Sequence, residues 1–351
     1  MLLKTDGSEA TTALDKAETL NTFFASNFTE DGSIDDESQC ENPPFLGEYL
    51  NHFVITKETV EEKLRQLNPN KSPGPDGWHP SFLKNIEDLI SSPLSILFQK
   101  SLNEGIVPAQ WLEAIVTPIH KKGSKNMFEN YRAVSMTSIF CKIMESIIRD
   151  RIVTHLEKNK ILSDSQHGFV PHRNCMTNLL LAMEKWTEML EVGAPIDVIY
   201  TDFAKAFDRV SHKRLLQKLH KIGIVGNTWN WIRAFLMGRT QRVKVDDAYS
   251  TTEMVKSGIP QGSVLGPTLF VVFINDMPDV INSLCQLFAD DAKVFRKVIS
   301  ADDSASLQED IDTLRAVATG GCGGCDTPWP LCQSAHVRKY AFSRHTTAVT
   351  S

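Results

Sequence analysis

Apolar residues recur along this chain at two periods. Between 138 and 159, Ile139, Ile143, Ile147 and Ile148 fall on one side of a long amphipathic helix. Lys142, Arg149 and Arg151 fall outward, on the other side. A second helical stretch covers about 176–191, and others lie near 80–105, 211–223 and 227–237. Leu20, Phe23, Phe24 and Phe28 give the otherwise polar first fifty residues one amphipathic helix. Thr56 is placed to cap a helix whose apolar face is Val60, Leu64 and Leu67. Short apolar runs at 114–119, 196–201, 240–248, 251–257, 284–289 and 292–298 read as strands, with Pro118 pointing to a sheet edge. A helix is expected after Leu265. Residues 68–77 hold three prolines and two glycines, which forbids regular structure there, and 31–44 reads as a loose linker. There is no internal repeat. Few strands, antiparallel in appearance and separated by helices, give an α+β class.

Two of those strands end in acids. Val198-Ile199-Tyr200 runs into Asp202, and Leu284–Ala289 runs into Asp290 and Asp291, 88 residues after Asp202. An unpaired carboxylate at the end of a buried strand is costly to desolvate. A divalent cation shared between two strand ends would meet that cost, and Asp carboxylates are acceptors of the kind Mg²⁺ takes. For one such acid alone the plain reading, a helix cap or the end of a turn, is favoured. Two strand-then-Asp events shift the reading toward a metal site.

Composition adds bounds. The chain has 351 residues, 42% hydrophobic and 23% charged, ordinary for a globular protein with one large or two medium domains. No run of 18 apolar residues exists, so no membrane span is expected. The amino terminus lacks a basic-then-apolar signal. Cys40, Cys141, Cys175 and Cys285 stand singly, as reduced thiols of a soluble intracellular protein would. The net charge of −6 hides an asymmetry: residues 1–62 carry −11, which leaves +5 on the rest. Residues 119–160 alone hold nine bases and four acids. Such a patch suits phosphates, and it also suits a plain solvated face.

The order of the blocks then becomes informative. Asp202–Asp208 reads DFAKAFD, Ser257–Pro267 reads SGIPQGSVLGP, and Phe288–Asp291 reads FADD. Upstream stand NKSPGPDGWHPSFLK at 70–84, PIHKKG at 118–123, NYRAVSM at 130–136 and SQHGFVPHRN at 165–174. Together these resemble the reverse transcriptases of non-LTR (LINE-type, jockey-like) retrotransposons over about residues 15–315. An intron-encoded maturase shares the FADD and DFAKAFD forms, but the 70–84 and 130–136 blocks and the acidic leader favour the retrotransposon.

The resemblance implies a right-hand polymerase of fingers and palm with an antiparallel palm sheet. Residues 1–54 would be an acidic linker, 55–195 the fingers, 196–315 the palm, with interleaving. It implies that Asp202 and Asp290 bind two Mg²⁺ ions (Mn²⁺ being the alternative), with the Phe203 carbonyl as a further ligand and Asp291 in support. Phe207 would lie beneath the incoming sugar and exclude a 2′-hydroxyl; a core phenylalanine is the plain alternative. Asp208 would fix the strand-to-helix turn, while Lys205 reads as a solvated residue or a phosphate contact. Gln261 would pack on the nucleotide and template, shaped by Pro260 and Gly262. Lys121 and Arg132 would hold the triphosphate, with Lys122 competing for the first place. The implied partners are an RNA template, a DNA primer and deoxynucleoside triphosphates.

The pattern departs after about Arg315. Residues 316–351 shift to Gly, Cys, Thr and Ser, as a frameshift or truncation would give, and are expected to be an irregular, disordered tail. Cys322, Cys325, Cys332 and His336 in that tail offer four zinc-type ligands, though at spacings unlike the family's. The family's thumb and its later palm lysine are expected to be absent, and the family's endonuclease also. A catalytically silent, nucleic-acid-binding remnant therefore stands as the alternative reading.

Overall fold

The computed structural model describes residues 2–4, 8–29, 45–203, 205–319, 335–343 and 346–349. Its strands are β1 (Leu2–Leu3), β2 (Glu9–Ala10), β3 (Glu113–His120), β4 (Tyr131–Met136), β5 (Ile196–Phe203), β6 (Thr240–Val245), β7 (Ala248–Tyr249), β8 (Glu253–Met254), β9 (Leu284–Phe288), β10 (Asp291–Lys297), β11 (Ala335–Ser343) and β12 (Thr346–Val349). Its helices are α1 (Ala13–Ala25), α2 (Lys57–Arg65), α3 (Pro80–Asn85), α4 (Glu87–Glu104), α5 (Ala109–Leu112), α6 (Ile139–Lys158), α7 (Cys175–Glu191), α8 (His212–Lys221), α9 (Gly226–Leu236), α10 (Gly266–Ile274) and α11 (Ala301–Thr319). The chain divides into two compact units, 1–160 with 212–266, and 161–211 with 267–351.

In the first unit a sheet runs in the order β4-β3-β6-β7, with β8 also on β6. β3 pairs with β6 only over Glu113–Val116, and with β4 over Ile115–His120. Pro118, which has no N–H to donate, therefore falls where one side of β3 has become an edge. α1 lays Leu20 and Phe24 on Val116, Phe128 and Val243. Thr56 caps α2 as its sequence requires, its hydroxyl accepting from the Thr59 N–H at 3.2 Å. The α6 stripe is buried at Ile139, Ile143, Ile147, Ile148 and Ile152. At about 1.5–3 kcal/mol for each such side chain, that stripe is a principal anchor of this unit.

The second unit holds a fully antiparallel sheet in the order β12-β11-β5-β10-β9. Taking β5, β9, β10 and β11 as first to fourth in the chain, the spatial order is 4-1-3-2. With helices between the strands this is a ferredoxin-like arrangement. α7 covers one face, packing Trp186, Met189 and Leu190 on Ile196, Val198 and Phe295. α10 is apolar all round and buried from Leu269 to Ile274, as a helix without a polar stripe must be. α11 is tied down by Asp310, whose carboxylate accepts the N–H groups of Asn282 and Ser283 at 2.8 Å each.

Several expectations are corrected. Residues 131–136, read only as part of a basic block, form β4, because Tyr131–Met136 finds the free side of β3. The strands expected over 240–248 and 251–257 shorten to β6, β7 and β8. α7 falls in the unit that carries β5; its Trp186, Met189 and Leu190 pack on that sheet, while Met176, Leu179, Leu180 and Met183 stay exposed. Lys142 is half-buried rather than outward, beside Lys63 and Arg149 in a cavity of about 280 Å³. The tail expected to be irregular carries β11 and β12. The run Tyr340-Ala341-Phe342 has strand-forming character, and β5 offers an open edge for the segment to pair with. Cys322, Cys325 and Cys332, and the linker at 31–44, lie outside the described residues.

Candidate active site

The two acid-ended strands are neighbours. β5 and β10 pair antiparallel, and Asp202 stands opposite Asp291 in the ladder. Residues so paired have Cα atoms about 4.5–5.5 Å apart. Asp290 precedes Asp291 in the turn, so its Cα lies within roughly 9 Å of that of Asp202.

The turn itself is unusual. Phe288 pairs with Asp291, leaving Ala289 and Asp290 as a two-residue loop. Such hairpin loops require left-handed backbone, normally supplied by glycine. Here Ala289 takes a φ of +54°, at a cost of about 1–2 kcal/mol. The outer side of β9 is not a free edge at this point. Leu287 donates its N–H to the Ser165 carbonyl at 2.8 Å and accepts from the His167 N–H at 2.9 Å, a parallel bridge centred on Gln166.

Downstream of Asp202, Lys205 is also left-handed, with φ +57°. The Asp208 N–H bonds to the Lys205 carbonyl at 3.0 Å, closing the turn into a short 3₁₀ helix at Ala206–Arg209. Phe207 is half-buried and stacks on Phe270 of α10, with centroids 4.5 Å apart and rings 13° from parallel. One face of its ring is thus held rigid. Ala204 lies outside the described residues.

The remaining sequence candidates belong to the first unit. Lys121 and Arg132 sit on the β3–β4 hairpin, where Arg132 pairs with Ile119 and the Lys121 N–H bonds to the Asn130 carbonyl at 2.8 Å. Both side chains are exposed and make no hydrogen bond or ion pair among the described residues, so their charges are available. Gln261 reaches the same hairpin: its carbonyl accepts from the Ser135 N–H at 2.7 Å. Gly262 has φ +114°, and a Cβ there would meet the Ser135 carbonyl oxygen at 2.6 Å, so only glycine allows this approach. Pro260 contributes its carbonyl to the Ser263 N–H at 3.1 Å.

Two features escaped the sequence reading, one in each unit. Glu145 of α6 is fully buried, and its Oε2 accepts the N–H groups of Val264 and Leu265 at 2.7 and 3.0 Å, fixing the segment that follows Gly262. Burial pushes its carboxyl upward, against the pull of those two bonds and of Arg239. Its signal was an acid on the apolar stripe of a helix. The other is the 165–168 segment against β9, whose only sequence signal was the QHGF block.

Asp202, Asp290 and Asp291 offer hard carboxylate oxygens from adjoining rigid elements, a donor set that fits Mg²⁺ or Mn²⁺. Among the described residues, Glu61, Glu87 and Asp88 also bring carboxylate oxygens within 4.8 Å of one another. Arg65 bonds to Glu61 at 2.5 Å and to Glu87 at 3.0 Å, so ion pairing accounts for that cluster.

The profile of the reverse transcriptase (RNA-dependent DNA polymerase) family matches residues 119–319, a span that includes both strand ends and the PQG loop. The chain belongs to the reverse transcriptase family. It is 28% identical to the RNA-directed DNA polymerase from mobile element jockey of Drosophila melanogaster, over 98% of this chain and 42% of that protein. It is 29% identical to the probable RNA-directed DNA polymerase from transposon BS of the same fly, over 75% of this chain and 30% of the relative. It is 30% identical to the jockey polymerase of Drosophila funebris, over 74% and 30%. The chain is therefore similar to polymerases of non-LTR elements, and spans less than half the length of these relatives. The family profile ends close to the break expected near Arg315, whereas the similarity to the D. melanogaster jockey polymerase, at 98% of the chain, continues into the tail. No described helix is long and apolar enough to cross a membrane.

Proposed function

We propose that this chain carries out RNA-directed DNA synthesis, in which a primer 3′-hydroxyl attacks the α-phosphate of a deoxynucleoside triphosphate and pyrophosphate leaves. The observation that carries the reading is the pairing of Asp202 with Asp291, which brings the Asp290 turn beside the end of β5 in a chain of this family. In this reading the second unit supplies the palm and most of the first unit the fingers.

Asp202 and Asp290 would hold two Mg²⁺ ions, joined by the Phe203 carbonyl and supported by Asp291. Bound there, the ions would lower the pKa of the 3′-hydroxyl and neutralise charge on the leaving pyrophosphate. Lys121 and Arg132, without side-chain partners among the described residues, would bind the triphosphate and orient its α-phosphate for in-line attack. Gln261, its carbonyl held by the Ser135 N–H, would pack against the incoming nucleotide and the templating base. The Phe207 ring, held from behind by Phe270, would fill the space a 2′-hydroxyl needs.

Single-nucleotide addition to a DNA primer annealed on RNA tests the reading. With Mg²⁺ present, Asp290→Asn and Asp202→Asn should each lose at least about a hundredfold in rate while retaining the wild-type melting temperature. Equal rates in the wild type and both variants would contradict it.

A further inference from the structure

The turn that carries Asp290 has an external support. Gln166 is completely buried, and its amide oxygen accepts two backbone N–H groups, from Gly168 at 2.8 Å and from Ala289 at 3.1 Å. The second donor is the left-handed residue of the hairpin loop. The amide nitrogen of the same side chain has no partner among the described residues. A glutamine held with its donor end orphaned and its acceptor end doubly used is retained as an acceptor.

The strand-like segment that presents Gln166 is itself clamped. Arg173 donates through Nη1 to the carbonyls of Ser163 and Gln166, at 2.8 and 2.9 Å, and through Nη2 to Asp164 at 2.7 Å. Asn275 accepts from the Ser163 N–H at 2.8 Å and donates to the Ile161 carbonyl at 2.9 Å. Gly168 brings the segment into direct contact with the turn: a Cβ there would lie 2.3 Å from the Ala289 nitrogen and 2.9 Å from the Phe288 carbonyl carbon. Both are backbone atoms and cannot swing aside.

We infer that Gln166 is a positioning residue for Asp290: by accepting the Ala289 N–H it holds the loop in its left-handed form and so sets where the Asp290 carboxylate stands. It touches no substrate and acts through the backbone of its neighbour. The metal half of this assignment rests on the role proposed above for Asp290. The backbone half does not.

Two substitutions separate the roles of the side chain. Gln166→Met keeps the length and apolar bulk without an acceptor. Gln166→Glu keeps an acceptor without the orphaned amine. Amide hydrogen exchange should be about tenfold faster at Ala289 in Gln166→Met, with protection restored in Gln166→Glu. Calorimetric Mn²⁺ titration of the full chain should show affinity weakened about tenfold to a hundredfold in Gln166→Met, the range for loss of a group that orients a ligand, and within about threefold of wild type in Gln166→Glu. A merely structural role would track melting temperature instead, and would not be rescued by the acceptor alone. If Gln166→Met melts below the assay temperature, Gln166→Asn, which withdraws the acceptor by one methylene, takes its place with the same expected order. Unchanged exchange at Ala289 in Gln166→Met overturns the inference. So does Mn²⁺ affinity equal to wild type in Gln166→Met when Asp290→Asn weakens it. Equal affinity in wild type and Asp290→Asn instead overturns the metal reading, and the metal half of this assignment with it.

Discussion

Asp202 stands directly across the antiparallel ladder from Asp291. That one register couples two blocks of sequence 89 positions apart. A slip of one residue would turn one of the two acids to the opposite face, so whatever fixes the register also fixes the site. β10 is paired on both sides over most of its length, by β5 and by β9, and β9 is itself pinned by the 165–167 bridge.

Gly168→Ala should be among the most damaging single-methyl changes in the second unit. The added Cβ meets backbone of the Asp290 turn, so the turn or the whole 165–168 segment must move. We expect a loss of about 1–3 kcal/mol in urea unfolding together with a reduced rate of nucleotide addition. A neutral result in both measurements would show that the segment can retreat freely.

Glu145→Ala strands the N–H groups of Val264 and Leu265 in the interior. The expected loss is about 2 kcal/mol or more, read from urea unfolding. Glu145→Gln, which keeps an acceptor for both, should recover part of it.

Arg132→Ala should separate function from stability. The side chain is exposed and without a partner among the described residues, so the change in unfolding free energy should stay within about 0.5 kcal/mol. In steady-state kinetics KM for the nucleotide should rise, and Arg132→Lys should not fully restore it, because an ammonium lacks the guanidinium fork.

Phe207→Val should admit ribonucleotides. Removing the ring that Phe270 holds rigid should raise ribonucleotide use relative to deoxynucleotide by at least about tenfold, measured as a ratio of kcat/KM values.

His167 gives a pH dependence with a defined sign. Burial, then Arg173 and Lys293, hold its imidazole below the ordinary 6.5, with Asp164 opposing weakly. The unfolded chain therefore binds more protons than the folded one between the lowered value and 6.5. The stability that neutral His167 contributes is complete above 6.5 and is lost as pH falls through the lowered value. Its ring also bonds to Thr177 at 2.9 Å, and its N–H to β9. Unfolding free energy should thus fall more steeply on acidification in wild type than in His167→Gln.

Much of this was legible in the sequence, for identifiable reasons. The α6 stripe, the Thr56 cap and the apolar runs of β5, β9 and β10 are local patterns, and the structure follows them to within a few residues. That β5 and β10 lie side by side, with Asp202 opposite Asp291, agrees with the two strand-then-Asp runs read together with the family resemblance. Gln166 and Gly168 were not readable as supports for Ala289. Their role depends on a bridge between residues more than a hundred positions apart, and neither residue type announces it. Glu145 looked like a helix residue among many, since its two backbone donors come from a loop 119 and 120 positions away. β11 was missed for a different reason: its alternation is weak, and an open edge of β5 supplies the rest.

Iron-directed backbone cleavage tests the central claim most directly. Fe²⁺ exchanged into a carboxylate site and treated with ascorbate and peroxide cuts the chain nearest the ion. The expected result is paired cleavage around residues 202 and 290, suppressed by excess Mg²⁺ and lost in Asp290→Asn. Cleavage at one of these positions without the other, or only near Glu61 and Glu87, would contradict a shared ion at the ends of β5 and β10.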